Sequence, residues 1–291
     1  MNIRAKSVVG NYLSLIKFGH TVFALPFALI GFFLATIHTA GTISWKLFGL
    51  VILCMVFARS AAMAFNRYAD KEIDKQNPRT AVREIPKGIV SANAALIFVI
   101  INCILFITTT YFINPLCFYL SPVALSVVLG YSYTKRFTSL CHLVLGLGLS
   151  LAPIGAYLAV TGEFHIIPVY FSLTVLFWVS GFDIIYALQD EDFDKQKNLK
   201  SIPAALGKRN ALTFSTALHF FSALFIILAG LQAKFNFLYW TGAVVFISIL
   251  IYQHTLIKPN DLRKVNLAFF TLNGIASIVF AVFVIGDLLV F

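Results

Sequence analysis

Charged residues are scarce in this sequence. Asp, Glu, Lys and Arg together account for 12% of the 291 residues, whereas soluble domains carry about 25%. So little charge cannot cover a water-exposed surface, and we therefore expect neither a soluble enzyme nor a nucleic-acid-binding protein. The net charge of +10 is first a signal of membrane topology, because Lys and Arg concentrate in cytoplasmic loops.

Cysteine is also rare. The four cysteines, Cys54, Cys103, Cys117 and Cys141, are scattered through apolar runs and form no Cys-x-x-Cys pair. We interpret them as small buried hydrophobic residues rather than as disulfide partners or metal ligands.

Long apolar runs dominate the sequence instead. Hydrophobic residues make up 59% of the chain, and a helix needs about 20 of them to cross a bilayer. The runs predict helices at about 14–38, 44–66, 92–111, 115–133, 138–160, 166–189, 210–232, 236–254 and 265–288. We expect an all-α fold, a polytopic membrane helical bundle of about nine transmembrane helices that forms a single domain over residues 1–291. The first run is too long for a signal-peptide core, so we expect it to remain in the mature protein.

The connections between these runs alternate in charge. Together with Lys17 near the start of the first run, the segments before that run and after the second, fourth, sixth and eighth runs hold 19 of the 22 Lys and Arg residues. The positive-inside rule therefore places the amino terminus and these loops in the cytoplasm. Nine crossings then put the carboxyl terminus outside.

Two of the cytoplasmic segments carry a repeated acidic pattern. The second run ends in Asn66-x3-Asp70-x3-Asp74, and the sixth ends in Tyr186-x3-Asp190-x3-Asp194. The four-residue spacing places each set on one helical face. All three positions are offset by 120 residues between the sets, and Arg83-Glu-Ile-Pro is echoed by Lys200-Ser-Ile-Pro. We interpret the pattern as an internal repeat with a period of four helices.

Carboxylates at this spacing repel one another and oppose the helix dipole, so a cation is expected to join them. Hard oxygen ligands at the membrane edge indicate Mg²⁺, which takes one or two carboxylates and completes its coordination with substrate phosphate oxygens. Two facing Asp pairs would hold a diphosphate. The alternative, that these are ordinary solvated loop acids, does not explain why the spacing and the flanks match.

Basic residues lie close to both acidic sets. Arg79 and Arg83 follow the first set, Lys200 follows the second, and Tyr131-x3-Lys135-Arg136 ends the fourth run. Arg offers phosphate a bidentate fork and Lys a point charge. Anchoring at the membrane surface explains Lys135 and Arg136 equally well on spacing alone.

Two ionisable residues lie deeper in the membrane. Arg59 and Asp183 each precede a motif by seven residues, and charges at such depth indicate function. They either pair with each other as structural glue or line a pocket, where Asp183 would serve as a base. His20 lies in the first run and is either a packing residue or a substrate contact. The 30 Phe residues are mostly packing residues, although any that line a cavity would shelter a carbocation.

Taken together, the two Asp motifs, the Tyr131 to Arg136 segment and the Arg83 and Lys200 tails resemble the UbiA superfamily of intramembrane prenyltransferases. The resemblance covers nearly the whole chain. It implies transfer of a polyprenyl group from an allylic diphosphate to an acceptor, with Mg²⁺ as cofactor and a cytoplasmic active site. The implied metal and diphosphate ligands are Asn66, Asp70, Asp74, Asp190 and Asp194. The residues expected to bind substrate are Arg59, Arg79, Arg83, Tyr131, Lys135, Arg136, Tyr186, Lys200 and His20, with Asp183 among the catalytic acids.

The acceptor stays open at this level. Members of this superfamily commonly use 4-hydroxybenzoate or a dihydroxynaphthoate on the way to ubiquinone or menaquinone. The segment from Lys17 to Pro26 resembles a branch often labelled 4-hydroxybenzoate polyprenyltransferase, in which some members are linked to menaquinone. A non-quinone acceptor is the first alternative, and a transporter is the second because repeats and buried charges also occur there.

Overall fold

The computed structural model describes residues 7–17, 23–39 and 41–291, and these form helices joined by short connections. The helices are α1 (Val8–Leu15), α2 (Leu25–His38), α3 (Trp45–Ala69), α4 (Lys71–Gln76), α5 (Ala92–Tyr111), α6 (Pro115–Thr134), α7 (Cys141–Thr161), α8 (Ile166–Ala187), α9 (Glu191–Gln196), α10 (Ile202–Ala233), α11 (Phe237–Leu256) and α12 (Asn273–Val290). A 3-10 turn covers Leu188–Asp190, and a π-helical segment, Leu267–Leu272, leads into α12. The predicted all-α class is confirmed.

Eight of the helical segments within the described residues are long and apolar enough to cross a membrane. The remaining predicted run, the first one, contains the shorter α2 of 14 residues. The expectation of about nine spans is therefore met by eight full-length segments and one short apolar helix.

The first predicted run is not one continuous helix. The expected helix at 14–38 placed Pro26 in its interior, whereas α1 ends at Leu15 and α2 begins at Leu25 with Pro26 in its first turn. Proline is favoured there because the first turn of a helix has no partner for its N–H groups. Two other helical segments are also irregular. Within α10, Gly207 has a φ of +75°, and the last run begins as the π-helical segment.

The buried core centres on α8, which packs against α7 and α10. Trp178 and Phe171 of α8 are fully buried and lie among Phe27, Phe246 and Phe280 from α2, α11 and α12. Neighbouring helices approach closely at glycine positions, where no side chain separates the two backbones. A Cβ at Gly146 of α7 would lie 2.4 Å from the carbonyl oxygen of Leu176 on α8, the close packing that small residues permit between membrane helices.

The predicted repeat appears as a matching break in the backbone. α3 stops at Asp70 and the chain restarts as the six-residue helix α4. In the second half, α8 and its 3-10 turn stop at Asp190, and the six-residue helix α9 follows. Asp70 has φ and ψ of −95° and 9°, and Asp190 has −103° and 3°. The same local geometry therefore presents both Asp motifs at one end of the bundle.

Candidate active site

In the first motif, both aspartates contact basic residues from elsewhere in the chain. The Asn66 amide donates a 3.0 Å hydrogen bond to Asp70 Oδ2, and Arg136 Nη2 lies 3.3 Å from Asp70 Oδ1. Arg83 Nη1 donates to both carboxylate oxygens of Asp74, at 2.6 and 2.8 Å. Burial, and then the charge of Asp74, raises the pKa of Asp70 above its ordinary value, although Arg136 opposes the shift.

In the second motif, Asp190 is held by the loop that follows the first motif. Arg79 grips the carboxylate through two guanidinium nitrogens, and Arg79 Nε lies 2.9 Å from Asp190 Oδ1. The Asn77 amide donates to the same oxygen at 3.1 Å. Arg79 Nη1 also donates to the Tyr186 hydroxyl at 2.9 Å, and the guanidinium lies over the Tyr186 ring. Burial lowers the pKa of Arg79, but its bonds to Asp190 and Tyr186 outweigh this and hold the pKa above its ordinary value.

Asp194 is the most enclosed of the four acids. Its side chain is 0% exposed, and Lys135 Nζ lies 2.8 Å from Oδ1. The Ser201 hydroxyl donates to Oδ2 at 2.7 Å. Lys200, predicted as a phosphate-binding cation, has an exposed side chain and contacts this part of the site through its backbone, since the Lys200 N–H donates to the Lys135 carbonyl at 2.6 Å.

Two consecutive residues after α6 join the halves of the site. Lys135 pairs with Asp194 in the second half, and Arg136 pairs with Asp70 in the first. The Lys135 charge also acts on Asp70 and Asp190. The structure thus brings all four predicted aspartates together with four of the predicted cations.

The donor set fits a hard divalent cation. Within the described residues no three acidic, His or Cys side chains are already arranged around a common metal position, because each aspartate faces a cation. Asp194 Oδ1 is nevertheless buried without a hydrogen bond of good geometry from any described residue. Carboxylate and amide oxygens from Asn66 and the two motifs are the ligand types that Mg²⁺ takes.

The two deep charges are not paired with each other. Asp183 Oδ2 lies 2.7 Å from His142 Nδ1, and Arg59 Nε is buried without a hydrogen-bond partner among the described residues. The alternative that Arg59 and Asp183 pair with each other to stabilise the fold is therefore wrong for the described residues. Tyr131 lies within range of the charges of Asp70, Asp183 and Arg59.

Arg59 and Tyr131 line one end of an apolar cavity of about 390 Å³ between α3, α5, α6 and α7. Its wall on α6 runs from Cys117 to Tyr131, about 20 Å at 1.5 Å per residue. The wall otherwise consists mainly of Ala, Val, Leu and Ile side chains. The cavity therefore suits a long hydrocarbon chain with a polar group at the end near the motifs.

Three residues that contact the motif acids or Asp183 were not predicted from the sequence, and one predicted site residue is not tested by the structure. Asn77 and Ser201 each hold a motif aspartate, and both stood beside residues already singled out, Arg79 and Lys200. His142 gave no signal, because a single His at the start of an apolar run is typical of packing. The predicted contact of His20 lies outside the described residues.

The fold and the site together define a multi-pass membrane protein with paired acidic motifs at one end of an apolar cavity. Residues 24–275 match the UbiA prenyltransferase family, and the chain belongs to this family. It is 31% identical over 244 residues to a 4-hydroxybenzoate octaprenyltransferase of Aliivibrio salmonicida, covering 82% of this chain and 84% of that protein.

Solved structures show the same fold. The apo structure of a UbiA homolog from Aeropyrum pernix K1 superposes with a TM-score of 0.83 at 29% identity, covering 92% of this chain and 98% of that one. A UbiA homolog from Archaeoglobus fulgidus bound to DMAPP and Mg²⁺ superposes with a TM-score of 0.75 at 20% identity, covering 97% and 100%. Family membership identifies the chain as a prenyltransferase.

Proposed function

We propose that this prenyltransferase moves a polyprenyl group from an allylic polyprenyl diphosphate to an aromatic acid in the ubiquinone or menaquinone pathway. The observation that carries the proposal is the meeting of both Asp motifs and four cations at the polar end of an apolar cavity. A diphosphate matches the motifs in charge, and a polyprenyl tail matches the cavity in length and polarity. The solved homologue bound to DMAPP and Mg²⁺ supports the same class of donor.

The metal of this proposal is Mg²⁺, held by Asn66, Asp70, Asp74, Asp190 and Asp194. When bound, Mg²⁺ offsets the charge that builds up on a departing diphosphate. Each motif aspartate now pairs with a basic residue. Binding of the metal and the diphosphate would exchange these pairs, which frees Arg79, Arg83, Lys135 and Arg136 for phosphate oxygens.

In the reaction, the C1–O bond of the donor breaks and its electron pair leaves with the diphosphate. The released cations stabilise that charge, while the apolar cavity keeps water from the allylic cation. An electron-rich carbon of the acceptor ring then attacks C1, and the ring proton passes to a base. We assign the base role to Asp183, and we place the tail in the cavity between α3 and α6.

Arg59 supports an acidic acceptor. Its guanidinium lines the cavity end near the motifs, and its Nε has no partner among the described residues. A buried charge of this kind is costly unless it is paired, and an aromatic carboxylate would pair with it. Both 4-hydroxybenzoate and a hydroxynaphthoate satisfy this requirement, and similar proteins carry the name 4-hydroxybenzoate octaprenyltransferase.

We further propose that residues 1–291 form one domain in a bacterial-type cytoplasmic (inner) membrane. The amino terminus and the active site lie in the cytoplasm, and the carboxyl terminus lies outside. The support is the excess of Lys and Arg on the side that carries the motifs.

Pyrophosphate release by the purified full-length protein, with geranyl diphosphate and 4-hydroxybenzoate, tests the donor chemistry. We expect release to require Mg²⁺ and to fall on the order of 10²-fold or more in Asp70→Asn and in Asp190→Asn. Glu163→Gln, which changes an exposed acid at the other end of the bundle, is the matched control and should retain full activity. Full activity of either Asp variant, or substrate flux across vesicles without pyrophosphate release, would contradict the proposal.

The acceptor assignment has its own test, in which 4-hydroxybenzoate is compared with its methyl ester. The wild type should prefer the acid, and Arg59→Gln should raise the KM for the acid about 10-fold or more while leaving that for the ester nearly unchanged. An unaltered preference in Arg59→Gln would show that Arg59 does not bind the carboxylate. Replacing 4-hydroxybenzoate by 1,4-dihydroxy-2-naphthoate in the same assay identifies the preferred ring.

A further inference from the structure

Among the described residues, Asp183 is the one acid that pairs with an imidazole. Its partner His142 is the second residue of α7, and its side chain is 4% exposed while that of Asp183 is 21% exposed. Asp183 Oδ2 lies 2.7 Å from His142 Nδ1, and no described residue donates a hydrogen bond to Asp183 Oδ1. One carboxylate oxygen is therefore fixed and the other remains accessible.

The other nitrogen of His142 faces a backbone donor. The Ile202 N–H points to His142 Nε2 at 3.4 Å. Because a backbone N–H only donates, Nε2 has to present its lone pair, and the ring proton is then on Nδ1. His142 in this tautomer donates to Asp183, which keeps the carboxylate as the anion.

The backbone around His142 is also fixed. The Ser180 hydroxyl of α8 shares its proton between the Leu176 carbonyl of its own helix at 2.7 Å and the His142 carbonyl at 3.1 Å. One turn further along α7, a Cβ at Gly146 would lie 2.3 Å from Ser180 Oγ, so the two helices cannot separate or slide without breaking this contact. The imidazole and the carboxylate are thus held in register by the α7 and α8 backbones.

Ile202 links this pair to the diphosphate end of the site. Its neighbour Ser201 donates to Asp194, and the Lys200 N–H donates to the Lys135 carbonyl. The segment 200–202 therefore contacts Asp194, Lys135 and His142 together. His142 thus lies between the loop that contacts the second motif and the Asp183 carboxylate, whose charge reaches Tyr131 at the end of the cavity.

We propose that His142 is a positioning residue that orients Asp183 as the proton acceptor of the transfer, a role that rests on the proposed function. In the step itself, a bond forms between an acceptor ring carbon and C1 of the donor, and the C1–O bond breaks with its electron pair leaving on the diphosphate. The ring C–H bond then breaks, its electron pair restores the aromatic ring, and the proton passes to Asp183 Oδ1. His142 keeps its Nδ1 proton and holds Oδ2.

The test compares variants that keep or lose the donor at the Nδ1 position. His142→Asn retains an N–H donor near that position, whereas His142→Leu and the smaller His142→Ala lose it. For the full-length protein with geranyl diphosphate and 4-hydroxybenzoate, we expect kcat to fall about 10- to 100-fold in the Leu and Ala variants, less than loss of a complete general base. The KM for geranyl diphosphate should stay within about 2-fold, and His142→Asn should recover most of kcat.

A double-variant comparison separates positioning from simple support of the fold. In an Asp183→Asn background, His142→Leu or His142→Ala should cause no further loss of kcat, because the carboxylate that it orients is already gone. Thermal midpoints identify any variant that unfolds, and the inference is judged on whichever of the Leu and Ala variants folds.

The possible results separate the positioning role of His142 from the proposed function. Wild-type kcat in a folded Leu or Ala variant, equal losses in His142→Asn and His142→Leu, or multiplicative losses in the double variant would overturn the positioning role while the proposed function stands. A wild-type protein that makes no prenylated product from either aromatic acid would instead overturn the proposed function.

Discussion

At the residue scale, the site consists of acid and base pairs, and three of the four motif aspartates pair with a base far away in the sequence, whereas Arg83 follows Asp74 by 9 residues. The four-residue spacing predicted which aspartates gather at one end of the bundle, although each motif crosses a helix break at Asp70 or Asp190 and does not lie on one continuous helical face. It could not show that Arg79 pairs with Asp190, because this contact depends on how the loop after α4 folds back. Asn77 and Ser201 escaped prediction for the same reason, as their roles depend on loop conformation.

The Arg79 contacts predict a clear difference between Arg and Lys at this position. Arg79→Lys keeps the charge but cannot hold both Asp190 oxygens and the Tyr186 hydroxyl at once. We expect kcat/KM for geranyl diphosphate to fall about 10- to 100-fold with little change in the thermal midpoint.

The control for this change is Arg263→Lys, since Arg263 forms an exposed ion pair with Asp261 and its side chain is 87% exposed. It should behave as the wild type in both measurements. Equal kcat/KM in Arg79→Lys and the wild type would show that the planar fork has no function in the site.

At the scale of secondary-structure elements, apolar runs predicted nearly every helix but not their irregularities. The π-helical segment before α12 reads as ordinary apolar sequence, yet it places the Phe269 ring against Tyr186 with centroids 4.1 Å apart. Asn273 stabilises it by donating to the carbonyls of Ala268 and Phe269, both at 3.1 Å. Such a segment depends on tertiary partners, which no local pattern reveals.

Because of these hydrogen-bond partners, we expect the stability of the fold to depend on Asn273. Its Oδ1 accepts from Trp178 Nε1 at 2.9 Å and from Gln253 Nε2 at 2.7 Å. Asn273→Leu would leave both buried donors without a partner, at about 1–3 kcal/mol each. We expect a clearly lower thermal midpoint in detergent.

Thr241→Val is the matched control for the Asn273 change. The Thr241 hydroxyl is exposed and bonds only within its own helix, to the Phe237 carbonyl, so its loss should leave the midpoint nearly unchanged. An Asn273→Leu protein that melts with the wild type would show that the network adds no stability.

At the scale of the whole molecule, the duplicated halves meet at one end of the bundle. The sequence revealed the duplication through the 120-residue offset, and the matching breaks at Asp70 and Asp190 follow from it. It could not reveal the cavity, because the volume between α3 and α6 depends on how four helices pack. The side of the membrane that each end faces rests on the distribution of Lys and Arg.

That orientation predicts which positions a membrane-impermeant thiol reagent reaches. With the four native cysteines replaced, Asp192→Cys on α9 should react only after cells are opened, and Glu163→Cys should react in intact cells. Both native side chains are exposed, so accessibility to the reagent depends on the side of the membrane alone. The reverse labelling pattern would invert the proposed topology.

The placement of Lys135 and Arg136 sets a limit on the size of the opening between the two motifs. The Cα atoms of consecutive residues are about 3.8 Å apart, so while both ion pairs hold, Asp70 and Asp194 stay within the reach of these two side chains from one short piece of backbone. Donors of any tail length would thus meet the same gap at their head when they enter the site. The protein would therefore be selective for the diphosphate headgroup and tolerant of the length of the tail.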